Sequence, residues 1–237
     1  MNIALVFAGG VGVRMGATIP KQFLKLNGRP VLAHTLDLFQ HHTEIDSIYL
    51  VVAEEHVDTV RKLAMDNGIT KLKEIVFGGE SAQDSIYNGL CSLIANESPD
   101  SIVLIHDGVR PYVEHDVISA NIAATKEFGN AITYTPCFET IVLSTDGSTI
   151  DKMPYRRESY TAQAPQTFKL SDILAAHDSI RAREGGYTDM IDQATICYTL
   201  GIRLHLVAGN RGNIKVTTPE DLHMLGALLS ARKEVMS

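Results

Sequence analysis

The chain has 237 residues, of which 45% are hydrophobic, and this composition suits a single globular domain over residues 1–237. A net charge of −7 without a long basic stripe excludes the common nucleic-acid-binding classes, and no apolar stretch approaches the roughly 20 residues that span a membrane. Because the N-terminus lacks a signal-peptide pattern and the three cysteines lie far apart, we expect a cytoplasmic protein with reduced thiols and no cysteine metal site.

The first predicted element is a buried strand that runs directly into a glycine-rich loop. The apolar run 3–7 is followed by three glycines and two cations, namely Gly9, Gly10, Gly12, Arg14 and Lys21. Such a loop brings backbone N–H groups and positive charge up to a phosphate chain, and glycine allows the backbone to approach closely. The alternative is an ordinary glycine-rich turn.

Two common phosphate loops are excluded by counting residues. A P-loop needs a Gly-Lys pair, which the chain lacks, and the dinucleotide fingerprint needs a third glycine where Met15 stands. The remaining pattern is Gly-Gly-x-Gly-x-Arg-Met, five residues, then Lys. This pattern resembles the signature loop of nucleotidyltransferases that join an NTP to a sugar phosphate or polyol phosphate.

Strand-like and helix-like segments alternate along the rest of the chain. The predicted strands are 48–53, 74–77, 101–105, 131–135 and 203–207. The predicted helices are 55–67, 82–95, 114–127, 170–184, 188–200 and a last one from Pro219. The alternation predicts an α/β fold with a mostly parallel twisted sheet flanked by helices, and such sheets bind ligands beyond the carboxyl ends of their strands.

Residues 138–165 break this alternation. They contain a turn, Asp146-Gly147-Ser148, between two β-rich pieces, which predicts a long hairpin arm projecting from the sheet. A hairpin without a core of its own is marginal in water. We therefore expect the arm to pack against a second copy of the chain in a homodimer.

Four later segments, 78–85, 106–111, 154–168 and 209–222, complete a pattern with the opening loop. Along essentially the whole chain it resembles the cytidylyltransferases that act on polyol phosphates. One branch of that family makes CDP-methylerythritol for isoprenoid synthesis, and the other makes CDP-ribitol for teichoic acids and related polymers. The resemblance implies a Rossmann-like nucleotidyltransferase fold, CTP as the donor, a polyol phosphate as the acceptor and Mg²⁺ bridging the phosphates.

The resemblance also implies roles for individual residues. Arg14 and Lys21 would hold the triphosphate and act as the catalytic cations. The implied CTP-binding residues are Phe7, Ala8, Gly9, Gly10, Gly12, Gly79, Glu80, Ser81, Ala82, Gln83, Asp84, Ser85 and Asp107. The implied acceptor-binding residues are Arg110, Thr140, Arg156 and Lys215. Asp107 is also the candidate ligand of the metal, although Asp107 and Arg110 could instead be a structural ion pair.

Three features bear on the branch of the family. Ala82 and Gln83 stand in a segment where relatives carry arginine, and Ala164 replaces a threonine common to both branches. The chain has no tryptophan, and the pattern Tyr-x-x-Gln-x-Pro-Gln-Thr-Phe at 160–168 favours the branch that uses D-ribitol 5-phosphate over the one that uses 2-C-methyl-D-erythritol 4-phosphate. A non-catalytic nucleotide-binding protein and a sugar-1-phosphate uridylyl- or guanylyltransferase are the remaining alternatives.

Overall fold

A computed structural model describes residues 1–9 and 19–235 of the chain. The strands are β1 Asn2–Phe7, β2 Lys25–Leu26, β3 Arg29–Pro30, β4 Ser47–Val52, β5 Leu72–Phe77, β6 Ile102–Asp107, β7 Asn130–Pro136, β8 Tyr160–Lys169 and β9 Leu206–Ala208. The helices are α1 Val31–His41, α2 Val57–Asp66, α3 Ala82–Asn96, α4 His115–Phe128, α5 Leu170–Arg181, α6 Gln193–Thr199 and α7 Pro219–Val235. Within the described ranges, no helix combines the length and the apolar character needed to cross a bilayer.

Seven strands form one twisted sheet in the order β5-β4-β1-β6-β8-β7-β9. Strand β8 runs antiparallel to both of its neighbours, and the other neighbouring pairs are parallel. The registers place Phe7 beside Asp107, so β1 and β6 end at the same edge of the sheet. Because β8 runs the opposite way and pairs Gln166 with Ile105, its first half lies at this edge too.

The central strands are apolar because helices cover both faces of the sheet. Every residue of β4 and β6 is buried, as expected for strands inside a doubly covered sheet. One core contains residues of α1, α2 and α4, and the other contains residues of α3, α5 and α6. This packing fixes the strand ends, so the loops that follow them stand on a rigid platform.

Most predicted elements are confirmed, with four main differences. The last predicted strand, 203–207, is the shorter β9 at Leu206–Ala208. Helix α6 begins at Gln193 rather than 188, because Asp192 caps it and accepts the Thr195 N–H at 2.8 Å. The prediction omits α1, whose buried side chains recur with helical spacing. Residues 160–165, predicted to belong to the arm, are part of β8 in the central sheet.

The arm of this structure consists of residues 137–159. Its base continues the β7–β8 pairing as far as Pro136 and Tyr160, and one bridge joins Leu143 to Lys152 further out. The predicted turn is present, since the Asp146 carboxylate accepts the N–H groups of Ser148 and Thr149, both at 2.8 Å. The arm therefore holds its shape through polar turns.

Candidate functional site

Two adjoining cavities open at the edge where β1, β6 and β8 meet. The first has a volume of about 350 Å³ and the second about 190 Å³. Four residues line both cavities: Phe7, Ala82, Asp107 and Lys215. Two ligands bound side by side would therefore meet at this shared wall.

The first cavity collects most of the residues predicted to bind the nucleotide. It is lined by Phe7, Ala8, Gly9, Gly79, Glu80, Ser81, Ala82, Ser85 and Asp107, together with Lys21 and Lys215. Gly10, Gly12 and Arg14 lie outside the described residues. The buried Gln22, which the sequence did not single out, donates from its amide nitrogen to the Ala8 carbonyl at 2.9 Å. This bond ties the segment carrying Lys21 to the end of β1.

The turn before α3 forms one wall of the first cavity. Ser81 caps the helix by accepting the Asp84 N–H at 3.0 Å. The Ser85 hydroxyl accepts the Gly79 N–H at 3.0 Å and donates to the Ser81 carbonyl at 2.9 Å. A Cβ on Gly79 would lie 2.5 Å from the Asp84 Cβ, so the turn requires glycine here.

Gln83 and Asp84 were also predicted to bind the nucleotide, but neither lines the first cavity. Both follow Ala82 on α3, and the helical twist turns them away from the face that Ala82 shares with Ser85. Asp84 forms a 2.8 Å ion pair with Arg181, whose guanidinium lies 4.2 Å from the centre of the Tyr87 ring. Gln83 lines the second cavity instead.

The shared wall carries a compact group of charges. Asp107 forms ion pairs with Arg110 at 2.8 Å and with Lys215 at 2.6 Å, and Arg110 also donates to the Asn213 carbonyl at 2.8 Å. Burial alone would raise the pKa of Asp107, but the two cations outweigh it and hold that pKa at about 2. The carboxylate is thus ionised at neutral pH, and the wall keeps one positive charge in excess.

The described residues do not form a metal site by themselves. Each carboxylate oxygen of Asp107 is already engaged by a cation. Among residues 1–9 and 19–235, no three His, Cys, Asp or Glu side chains cluster in a way that could hold a metal ion. Residues 1–9 and 19–235 alone therefore do not supply the set of oxygen ligands that Mg²⁺ needs.

Thr140 and Arg156 lie on the arm. Both are exposed, and neither lines either cavity of its own chain. Arg156 begins a short helical turn that ends at Glu158. Within one chain, these two residues therefore lie apart from the predicted site residues that line the two cavities.

Two buried histidines flank this region. His106, beneath the shared wall, lies 3.0 Å from the Arg110 carbonyl through Nε2, and burial lowers its pKa to about 4. His177, behind α3, contacts the Tyr187 hydroxyl at 2.5 Å, and burial likewise lowers its pKa to about 4. Both imidazoles are therefore neutral in the folded protein at pH 7.

We expect the folded state to lose stability as the pH falls from about 6.5 towards 4. In that window the unfolded chain binds protons at both histidines while the folded chain does not, so acid favours unfolding by up to about 3 kcal/mol for each histidine. Urea unfolding at pH 7 and pH 4.5 measures the loss. The change His177→Gln should reduce this pH dependence, whereas the same change at the exposed His223 should not. If the free energy of unfolding depends equally on pH in both variants, His177 is not a source of the effect.

Comparisons with known proteins agree with this geometry. The family model described as "IspD: 2-C-methyl-D-erythritol 4-phosphate cytidylyltransferase" matches residues 2–231. A ribitol-5-phosphate cytidylyltransferase of Streptococcus agalactiae is 43% identical over 98% of this chain and 97% of its own length. A 2-C-methyl-D-erythritol 4-phosphate cytidylyltransferase of Geotalea uraniireducens is 38% identical over 96% of each chain. The crystal structure of 4-diphosphocytidyl-2C-methyl-D-erythritol synthase from Anaerococcus prevotii is 28% identical with a TM-score of 0.82, covering 97% of this chain and 96% of its own.

Proposed function

We infer that this chain, which belongs to the 2-C-methyl-D-erythritol 4-phosphate cytidylyltransferase (IspD) family and is a nucleotidyltransferase, transfers CMP from CTP to D-ribitol 5-phosphate. The observation that carries the proposal is the pair of cavities meeting at Asp107 and Lys215, with Arg110 beside them in the second cavity. A nucleotide and a phosphorylated acceptor are both anionic where they react, and this wall has a surplus of positive charge. Named relatives at 43% identity over nearly the whole chain support ribitol 5-phosphate.

In this proposal CTP occupies the first cavity and the acceptor the second. A phosphate oxygen of the acceptor attacks the α-phosphorus of CTP, and the bond from that phosphorus to the oxygen bridging to the β-phosphate breaks. CDP-ribitol and pyrophosphate are the products. Because no covalent enzyme intermediate is needed, the protein contributes positioning and neutralisation of negative charge.

The cations divide this task. Lys21, in the wall of the first cavity, would stabilise the charge that develops on the triphosphate, with Arg14 acting from the segment outside the described residues. Lys215 lines both cavities and would hold the acceptor phosphate beside the α-phosphate. Arg110 keeps Asp107 in place and adds its charge from the second cavity.

In this proposal Mg²⁺ belongs to the substrate and arrives bound to CTP. Since the described residues offer it no complete ligand set, we propose that CTP binds as its magnesium complex, with phosphate oxygens and water as the main ligands. No step that we assign to the chain depends on a protein-bound metal.

The proposed active unit is a homodimer joined through the arms. Several large apolar side chains of the arm are 46–59% exposed, namely Phe138, Val142, Leu143, Ile150 and Met153. An exposed apolar surface of this kind marks an interaction site. A partner bound there would bring Arg156 and Thr140 to the neighbouring second cavity, where a guanidinium suits the acceptor phosphate.

The second candidate acceptor is 2-C-methyl-D-erythritol 4-phosphate. The relative from Geotalea uraniireducens favours it, although its identity to this chain, 38%, is lower than the 43% of the ribitol-5-phosphate relatives. For ribitol 5-phosphate we place the reaction in the cytoplasm, where CTP is made, and expect CDP-ribitol to supply a surface polymer such as teichoic acid.

One assay tests the proposal and separates the candidates. Pyrophosphate release from CTP is measured with ribitol 5-phosphate and with methylerythritol 4-phosphate, and again with UTP or GTP in place of CTP. We expect release that needs CTP and is fastest with ribitol 5-phosphate. Faster turnover of methylerythritol 4-phosphate would identify that compound, rather than ribitol 5-phosphate, as the acceptor. Absence of pyrophosphate release with every acceptor would refute the enzymatic proposal.

A further inference from the structure

The second cavity differs chemically from the first. Apart from the charges of the shared wall and Arg110, its polar lining consists of four glutamines, Gln83, Gln163, Gln166 and Gln193, and the carboxylate of Asp192. This part of the lining holds no cation. A second phosphate group would find no counter-charge here, whereas hydroxyl groups match amides, which both donate and accept hydrogen bonds.

Most of these polar groups are fixed by bonds within the protein. Gln166 donates to Asp192 at 2.8 Å and accepts the Ala194 N–H at 2.9 Å. Gln83 donates to the Met190 carbonyl at 3.2 Å and accepts from Gln193 at 2.9 Å. Gln83 and Gln166 thus use both ends of their amides and hold their neighbours in place.

Two of the glutamines, Gln163 and Gln193, each have one amide atom available to a ligand. Gln163 accepts from Asn213 at 3.4 Å through Oε1, and within residues 1–9 and 19–235 its Nε2 donates to no protein atom. Gln193 donates through Nε2, and among the same residues its Oε1 accepts from none. The cavity therefore offers a ligand one hydrogen-bond donor, Gln163 Nε2, and one acceptor, Gln193 Oε1.

We propose that Gln163 and Gln193 determine the acceptor specificity by reading hydroxyl groups along the polyol chain. This inference rests on the proposed function, which places the acceptor phosphate at Lys215. Ribitol 5-phosphate carries four hydroxyls and methylerythritol 4-phosphate carries three and a methyl group. The longer chain satisfies both amide ends, while a shorter or methylated chain leaves one amide end without a partner, and a site built on hydrogen bonds discriminates strongly on that basis.

Calorimetric titration of the variant Gln163→Leu tests this proposal. The protein is titrated with ribitol 5-phosphate and with glycerol 3-phosphate, which has the same phosphate group but two hydroxyls. We expect about tenfold weaker binding of ribitol 5-phosphate, the size of one lost hydrogen bond, and less than about twofold for glycerol 3-phosphate. Unchanged CTP affinity shows that the variant has folded.

The matched control is Gln40→Leu, the same chemical change on α1, where Gln40 contacts Thr70 and the Lys71 N–H rather than a cavity. It should bind both phosphates as the wild type does. If Gln163→Leu weakens both phosphates equally, or neither, the proposed reading of hydroxyls is wrong. Because binding is measured, this result is independent of turnover, and pyrophosphate release by the wild type tests the proposed function separately.

Discussion

Replacement of Lys21 by alanine should lower kcat about a thousandfold while weakening CTP binding less than about tenfold. A cation fixed in a partly dry cavity stabilises charge that grows during the reaction more strongly than charge already present in bound CTP, and one such group typically contributes 10²–10³ in rate. Lys21 has this placement, since it lines the first cavity at the end of the glycine-rich loop. Pre-steady-state kinetics measure the change in rate, and equilibrium titration with CTP measures the change in affinity.

Two further variants sharpen this test. Lys21→Arg keeps the charge and should retain more activity than the alanine variant. Lys25→Ala removes an exposed lysine four residues later, outside the lining of both cavities, and should leave kcat unchanged. If Lys21→Ala turns over as fast as the wild type, or loses affinity and rate in equal proportion, Lys21 is not the cation that stabilises the transition state.

Replacement of Arg156 by alanine should raise the KM for the acceptor about a hundredfold and leave the KM for CTP nearly unchanged. A guanidinium binds phosphate through two charge-assisted hydrogen bonds, and loss of such a pair is costly. The neighbouring Arg157 is the matched control, because it pairs with Glu158 at 3.2 Å and lies over the Tyr155 ring at 5.0 Å. An effect of Arg156→Ala confined to CTP would contradict its role in acceptor binding.

A mixing experiment determines which subunit Arg156 serves. If the arm completes the partner's site, each site combines Lys21 of one subunit with Arg156 of the other. Mixing the variants Lys21→Ala and Arg156→Ala should then restore about a quarter of wild-type activity, because half of the dimers are mixed and each has one intact site. If Arg156 acts within its own subunit, mixing restores nothing.

The sheet could be predicted because its strands leave a simple trace in the sequence. The apolar runs of β1, β4 and β6 reflect burial on both faces, and the helices between them require parallel pairing. The first half of β8 left no such trace. Its first three residues, 160–162, are exposed although they pair with β7, so their sequence resembles the arm rather than a central strand.

The site was predictable where a backbone turn dictated the residues, and less so where side chains meet across the fold. The resemblance named Gly79, Ser81 and Ser85, and in the structure these three residues form the capped turn before α3. The direction of Gln83 depends on how α3 packs against the loop before α6, which no local pattern encodes. Asp192 and Gln193 were missed for a related reason, since the predicted helix began too early and hid the true cap at Asp192.

Strand β8 has a consequence for how such enzymes diverge. Within ten residues it carries the root of the arm at Tyr160 and two cavity glutamines, Gln163 and Gln166. An exchange of residues 137–169 between two relatives would therefore transfer the arm together with Gln163 and Gln166, while Gln193 would stay with the rest of the second cavity. In the proposed dimer, a single exchange of this segment would change the contact between subunits and part of the acceptor site together.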